Sequence, residues 1–209
     1  MVAQSAARRT RTAVRMPPEQ RKQQLLDSAL ALVVRSGYAN ATMQAIAHEA
    51  GVTRPVVYEF YRDRTELLRD LLEREAQTAL TAALTIVPDR VGEQELGVLL
   101  RSMLDRFLHL VVSTPQTWRL ILAAPSGAPA DVRDGIDATR AAILAALQAY
   151  LEPPQHAVEF DTEMLAVALL LGGESAARLV LKDPNQFPPE RISAVAEWVT
   201  GQFAIGRTQ

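Results

Sequence analysis

The chain has 209 residues, 48% hydrophobic and 22% charged, with a formal net charge of −2 and no cysteine. That hydrophobic fraction builds a substantial core and excludes a disordered chain, while the missing cysteines exclude disulfide frameworks, thiolate metal sites and thiol nucleophiles. The charge is unevenly divided: residues 1–70 carry +4 and residues 71–209 carry −6, and the whole positive excess lies in residues 1–15, where Arg8, Arg9, Arg11 and Arg15 meet no acid.

Such an arm suits a nucleic-acid clamp, an organelle transit peptide or a solvated tail. The longest apolar run, Met164 to Leu171, is far shorter than the ~20 residues that cross a bilayer, and no apolar stretch of the secretory kind is present. A soluble, cytoplasmic protein without membrane contact is expected. His48, His109 and His156 stand too far apart for a local zinc pair, so neither a metal nor a cofactor is expected.

Apolar residues recur at helical spacing along almost the whole chain, which predicts an all-α protein of about nine helices. The first should run from Pro18 to Ser36, with Leu25, Leu26, Ala29, Leu32 and Val33 inward and Gly37 as its stop. Thr42 opens a short helix ending near Ala50, and Thr53 is an N-cap for another ending near Phe60. Asp63 with Glu66 makes an aspartate capping box at the head of a long helix, with Leu67, Leu68, Leu71, Leu72, Ala76, Leu80 and Leu84 inward and Pro88 at its close. Prolines and prolyl turns then separate helices at 92–112, 115–123, 130–151, 161–182 and 189–204.

Residues 42–61 read as two short helices joined by Ala50, Gly51 and Val52, the helix-turn-helix arrangement. Ala47 is small enough for a close crossing, Gly51 can take a positive φ, and Met43, Ile46 and Val57 supply the apolar wedge beneath. An ordinary αα-corner uses the same turn; the exposed face separates the two. Thr53, Arg54, Val56 and Tyr58 are not needed for packing: Arg54 can bond guanine bidentately, Thr53 or Val56 can touch a thymine methyl, and Tyr58 suits a phosphate. Thr42 and Gln44 face the backbone or a base from the preceding helix, and Arg64 is a further phosphate candidate. Glu59 is repelled by phosphates unless it accepts from cytosine or points outward.

From Glu19 to Leu72 the chain resembles the DNA-binding domain of TetR/AcrR-family transcriptional regulators. The resemblance rests on Thr42, Ile46-Ala47, Glu49, Ala50-Gly51-Val52, Thr53, Arg54, Val57-Tyr58, Phe60-Tyr61 and Leu67-Leu68 at the family's spacing. Pro55 and Arg62 depart from it, standing where the family often has a glycine or alanine and a proline. The resemblance implies three parts: a basic flexible arm over 1–17, a helix-turn-helix domain over 18–64, and a helical effector-binding and dimerisation domain over 65–209. Beyond residue 85 it is one of organisation alone.

The family pattern implies a homodimer through residues 161–204. The sequence permits it with a face of Leu165, Ala168, Leu169, Gly172, Gly173, Ala176 and Leu179, and a second of Ile192, Val195, Trp198 and Val199. It also implies an effector pocket, for which Met103, Phe107, Trp118, Leu122 and Ile143 offer apolar walls and His109 and Arg140 polar groups, suiting an apolar or aromatic small molecule. A ligand-responsive dimeric repressor of a double-stranded, palindromic DNA operator is thus expected. Alternatives are an activator or co-repressor-dependent regulator of the same fold, or a helical small-molecule enzyme, for which no nucleophile elbow or phosphate loop is present.

Overall fold

A computed structural model describes residues 16–86, 96–122, 130–151 and 161–205. Among them the chain forms nine α-helices and one 3-10 turn, with no strand. The helices are α1 (Pro18–Ser36), α2 (Met43–Glu49), α3 (Arg54–Tyr58), α4 (Arg64–Leu84), α5 (Leu96–Ser113), α6 (Pro115–Leu122), α7 (Ala130–Leu151), α8 (Thr162–Lys182) and α9 (Pro189–Ile205). The 3-10 turn, Tyr38–Asn40, is not foreshadowed by the hydrophobic pattern.

Local chemistry sets the boundaries. Gly37 ends α1 at φ 81°, ψ 163°, a conformation that side-chain-bearing residues avoid, and its amide bonds the Val33 carbonyl at 2.9 Å. Thr42 caps α2 by accepting from the Ala45 amide at 3.1 Å. Asp63 caps α4 by accepting from the Glu66 amide at 2.9 Å, and the Glu66 carboxylate returns to the Arg62 amide at 2.7 Å, one residue before the position the usual box would use. Thr53 is the N-cap residue of α3, as its position predicts, although its side chain makes no capping hydrogen bond. Pro55 sits in the first turn of α3, where a missing amide is harmless.

The amino-terminal core is built from α1, α2, α3 and the first half of α4, with Leu25, Ile46, Val57, Leu67 and Leu68 at most 1% exposed. Tyr38 lies beneath it, 5% exposed, with its hydroxyl buried and unpartnered. Burial pushes that phenol up to about 12. Because the hydroxyl is desolvated without return, Tyr38→Phe is expected to leave the folding free energy unchanged or raise it by up to about 1 kcal/mol, readable from chemical denaturation.

The carboxy-terminal helices pack around α5, α6 and α7, with α4 running against α1, α6 and α7. A buried carboxylate ties three helices here: Glu75 of α4 accepts from Thr117 Oγ1 of α6 at 2.5 Å and pairs with Arg74 at 2.7 Å, while Arg74 also reaches Asp27 and Gln23 of α1. On α4, Ala79 is buried, whereas Leu84 at the helix end is exposed and borders the cavity described below.

By length and composition α8 could cross a membrane, since an 18-residue window has mean hydropathy 1.7 although only 28% of it is buried. Two glycines and the ion-paired Glu174 break its apolar run without making the helix polar. The α8 face drawn from sequence therefore divides in two. Ala168, Leu169, Gly172, Gly173, Ala176 and Leu179 all line the cavity described below, but Ala176 is buried while Ala168, Gly172 and Leu179 are exposed. On α9, Ile192 is half-buried against the core, Val195 and Trp198 are exposed, and Val199 falls outside the described side chains.

Candidate nucleic-acid interface and ligand cavity

α2 and α3 are held at a fixed angle by backbone and side-chain ties. At the turn Gly51 takes φ 65°, the Val52 amide bonds the Ala47 carbonyl at 2.9 Å, and Gln24 of α1 donates to the Ala50 carbonyl at 2.9 Å. Arg35 grips Glu49 with two bonds of 3.1 and 2.8 Å, and that hydrogen-bonded guanidinium holds the carboxyl below its usual range. Tyr61, buried behind α3, donates to Asp70 at 2.6 Å while Lys22 pairs with the same carboxylate at 2.9 Å. Burial first, and then the bond to Asp70, push the Tyr61 phenol far up, so it remains a donor.

On this frame Val57 is fully buried and turns the opposite side of α3 outward. Thr53, Arg54, Tyr58 and Glu59 are exposed, and Val56 is half-buried. Arg54 and Tyr58, one turn apart, form a pair: Arg54 Nη2 donates to the Tyr58 hydroxyl at 3.0 Å, with the guanidinium carbon 5.3 Å from the ring centroid. Gln44 is exposed on α2, and Thr42 is exposed with its hydroxyl already engaged in capping. Arg64 is placed otherwise than a phosphate contact would be: its guanidinium reaches back to the carbonyls of Ala41, at 2.9 Å, and Tyr38, clamping the head of α4 to the chain that enters α2. Arg8, Arg9, Arg11 and Arg15 lie outside the described residues.

A second feature lies in the carboxy-terminal domain, a cavity of about 720 Å³ bounded by α4 to α9. Met103, Phe107, Trp118, Leu122, Arg140 and Ile143 all line it. Phe107 and Trp118 meet edge to face with centroids 5.0 Å apart. The seventh residue expected there does not: His109 is absent from the cavity wall, exposed on α5 with Nδ1 2.9 Å from the Asp105 carbonyl and Nε2 3.5 Å from Glu190 of α9. Two residues beyond Phe107 is about 200° around a helix, which puts His109 on the opposite side. The Asp105 carbonyl, with Asp105 and Glu190 nearby, raises its pKa.

The polar end of the cavity holds an ion cluster that spacing could not reveal. Glu174 of α8 accepts two 2.6 Å bonds from Arg140 of α7 and a 3.0 Å bond from Arg178. Burial alone would raise its carboxyl, but the two guanidiniums outweigh burial and hold it below its ordinary value. The lining is therefore apolar apart from Thr139, the compensated cluster around Glu174, and Arg191, whose guanidinium donates to the Gln186 carbonyl at 2.6 Å, the profile of a site for a small, mainly hydrophobic molecule.

Both halves of the chain match known family models. Residues 25–71 match the family model described as bacterial regulatory proteins, tetR family, and residues 96–206 match the tetracyclin repressor-like C-terminal domain. The HTH-type transcriptional activator FasR of Mycolicibacterium smegmatis is 27% identical over 192 residues, covering 92% of this chain and 84% of FasR. The crystal structure of a TetR-like transcriptional regulator from Rhodococcus sp. RHA1 superposes with a TM-score of 0.72 at 23% identity, over 92% of this chain and 100% of that one. A complex of SmeT with triclosan superposes at 0.66 with 17% identity, over 87% and 90% of the two chains. At these identities the two structures speak for the fold.

Proposed function

The chain belongs to the tetR family of bacterial regulatory proteins, and on that premise we propose that it is a dimeric repressor, occupying a palindromic operator until a small hydrophobic or aromatic effector releases it. The observation that carries the reading is the exposed Arg54–Tyr58 pair, presented on a helix whose other side is anchored by fully buried Val57. An αα-corner needs no such outward pair. Thr53, Gln44 and half-buried Val56 flank it as base or backbone contacts. Arg64 is left with a supporting role.

The dimer is supported by where water meets carbon. Trp198, Met164, Val195 and Leu171 are the most exposed large apolar side chains among the described residues, at 66, 61, 59 and 57%, and all four lie on α8 and α9. A patch of that kind marks an interface. Twofold pairing through it presents two copies of α3 to half-sites about 34–36 Å apart, or a multiple of that. Occupancy alone then excludes polymerase, whereas activation, the activity FasR is named for, requires an additional contact with polymerase.

The cavity supplies the other half of the mechanism. An effector that fits a conformation with the two α3 helices out of register shifts the population toward it, and a 100-fold loss of operator affinity requires about 2.7 kcal/mol of coupling. Selection of bound sequences from random duplexes, repeated with a metabolite library present, tests both parts. An inverted-repeat consensus whose enrichment collapses with particular library members is the expected result, and no enriched sequence overturns the reading. Transcription in vitro from the selected site fixes the sign of regulation.

The arm enters the proposal through charge. Residues 16–70 balance, so the excess positive charge of this half lies in Arg8, Arg9, Arg11 and Arg15. Deleting residues 1–15 is expected to flatten the plot of log affinity against log salt by ~0.9 for each phosphate that the arm neutralises. An unchanged slope assigns the arm no part in binding.

A further inference from the structure

Among the described residues the charged side chains on the cavity wall are Arg140, Glu174 and Arg191. The first two cancel within their own cluster, where Arg140 and Arg178 hold Glu174, and Asp137 stands 3.8 Å from Arg140. Arg191 does not. Among the described residues its guanidinium has a carbonyl and a ring for partners and no carboxylate: Nη1 donates to the Gln186 carbonyl at 2.6 Å, and the guanidinium carbon lies 5.9 Å from the Phe187 ring centroid. The nearby acids are turned elsewhere. Asp183 accepts from the Asn185 and Gln186 amides at 3.0 Å each, and Glu190 faces His109 of α5 at 3.5 Å.

Helix stability does not account for a cation at this place. Arg191 stands in the first turn of α9, an end that already carries partial positive charge and favours acids. It is nevertheless held in position. Asp183 fixes the turn that carries Gln186, whose carbonyl orients the guanidinium, and Phe187 beside it is itself a wall residue. Most of the guanidinium's donors remain for another acceptor. Because Arg191 is exposed and also on the wall, it stands where the cavity opens to water. We infer that the effector is a singly charged amphiphile: an anionic head of the carboxylate or sulfonate kind pairs with Arg191 at the mouth, and an apolar body lies inside against Met103, Phe107 and Ile143. The inference rests on the effector reading above and adds the sign of the ligand's charge and the end by which it is held. The body supplies affinity by leaving water, and the head supplies orientation and discrimination against cations.

The test uses the full chain and two dyes of one skeleton, 8-anilino-1-naphthalenesulfonate and its uncharged counterpart N-phenyl-1-naphthylamine, whose emission rises on entering an apolar site. Ile143→Trp, which fills the cavity from α7, sets the signal arising outside it. Above that background, Arg191→Gln is expected to weaken the sulfonate by about fivefold or more and the neutral dye by less than about twofold. Arg191→Lys keeps the charge without the planar fork and should recover part of the loss. Arg106→Gln removes an exposed arginine that is not on the wall and is expected to alter neither dye by more than about twofold. Circular dichroism verifies that the variants are folded. In the unsubstituted chain, raising the salt concentration is expected to weaken the sulfonate alone, because a pair at the mouth is screened.

Equal losses of the two dyes in Arg191→Gln overturn the inference and leave an apolar effector site standing, and so does a sulfonate affinity that Arg191→Gln leaves unchanged. A loss in Arg106→Gln that matches the loss in Arg191→Gln overturns it too, since diffuse charge then attracts the head. Where Arg191→Gln does not fold, the salt series decides with no residue changed, and a sulfonate as indifferent to salt as the neutral dye overturns the inference. Neither dye rising above the Ile143→Trp background overturns the effector reading and the inference together.

Discussion

Arg54→Ala is expected to weaken binding to the selected operator by about 1 to 3 kcal/mol, roughly 5- to 150-fold, and to relax discrimination at one base pair of each half-site. The magnitude follows from bidentate recognition, in which a planar guanidinium meets two acceptors on one guanine. The Tyr58 hydroxyl, 3.0 Å from Nη2, restricts an otherwise free exposed side chain. Tyr58→Phe keeps the ring under the guanidinium but removes that bond, so a smaller loss of about 0.5 to 1 kcal/mol is expected. Titration of each variant against the operator and its single-base variants separates the two roles. Equal weakening on every sequence reassigns Arg54 to the phosphates.

Glu174→Ala is expected to destabilise the fold by about 2 to 3 kcal/mol. The Glu174 side chain is 7% exposed and its removal leaves Arg140 and Arg178 facing each other, a change that costs about 3 to 5 kcal/mol where the whole cluster is buried. Here the Arg140 and Arg178 side chains are 36 and 44% exposed, so solvent screens part of the penalty. At roughly 2 to 4 °C per kcal/mol for a chain of this size, the midpoint of thermal unfolding should fall by about 4 to 12 °C. Glu174→Leu combined with Arg140→Met should recover much of the loss, because it removes the charge with its main partner. The folded-state carboxyl titrates below its ordinary value. Its contribution is therefore present above the unfolded chain's value and lost as pH falls through the folded one, so variant and parent should converge in acid.

The boundaries of the helices were legible because proline and glycine mark them. Pro18, Gly37, Pro115 and Pro189 stand where helices begin or end, and Thr42 and Asp63 cap as their side-chain chemistry dictates. The outward set on α3 was legible for a similar reason, since a five-residue helix with a single buried anchor leaves few choices. What sequence could not give were pairings across long separations. Arg140 and Glu174 lie 34 residues apart, Glu75 and Thr117 lie 42 apart, and Arg64 finds carbonyls 23 and 26 residues back. The faces of α8 merged because the helix is apolar on both sides, and periodicity assigns a face only where one side is polar. His109 was recoverable, because counting around the helix from Phe107 already puts it outside.

The clamp at Arg64 makes α4 a lever. One end is fastened to the segment that enters α2, the other contributes Ala83, Leu84 and Ile86 beside the cavity, and 21 residues lie in the shaft. That shaft is about 31 Å long, so a swing of about 6° pivoted at the cavity carries its far end through about 3 Å. In a symmetric pair the twofold axis repeats the swing in the other subunit, and the reading heads part or close by about twice that against a groove repeat of ~34 Å. Under the proposed repressor reading a bound molecule would have no need to deform the head; gearing built into the length of one helix would turn a slight adjustment at the cavity into a mismatch of pitch on the DNA.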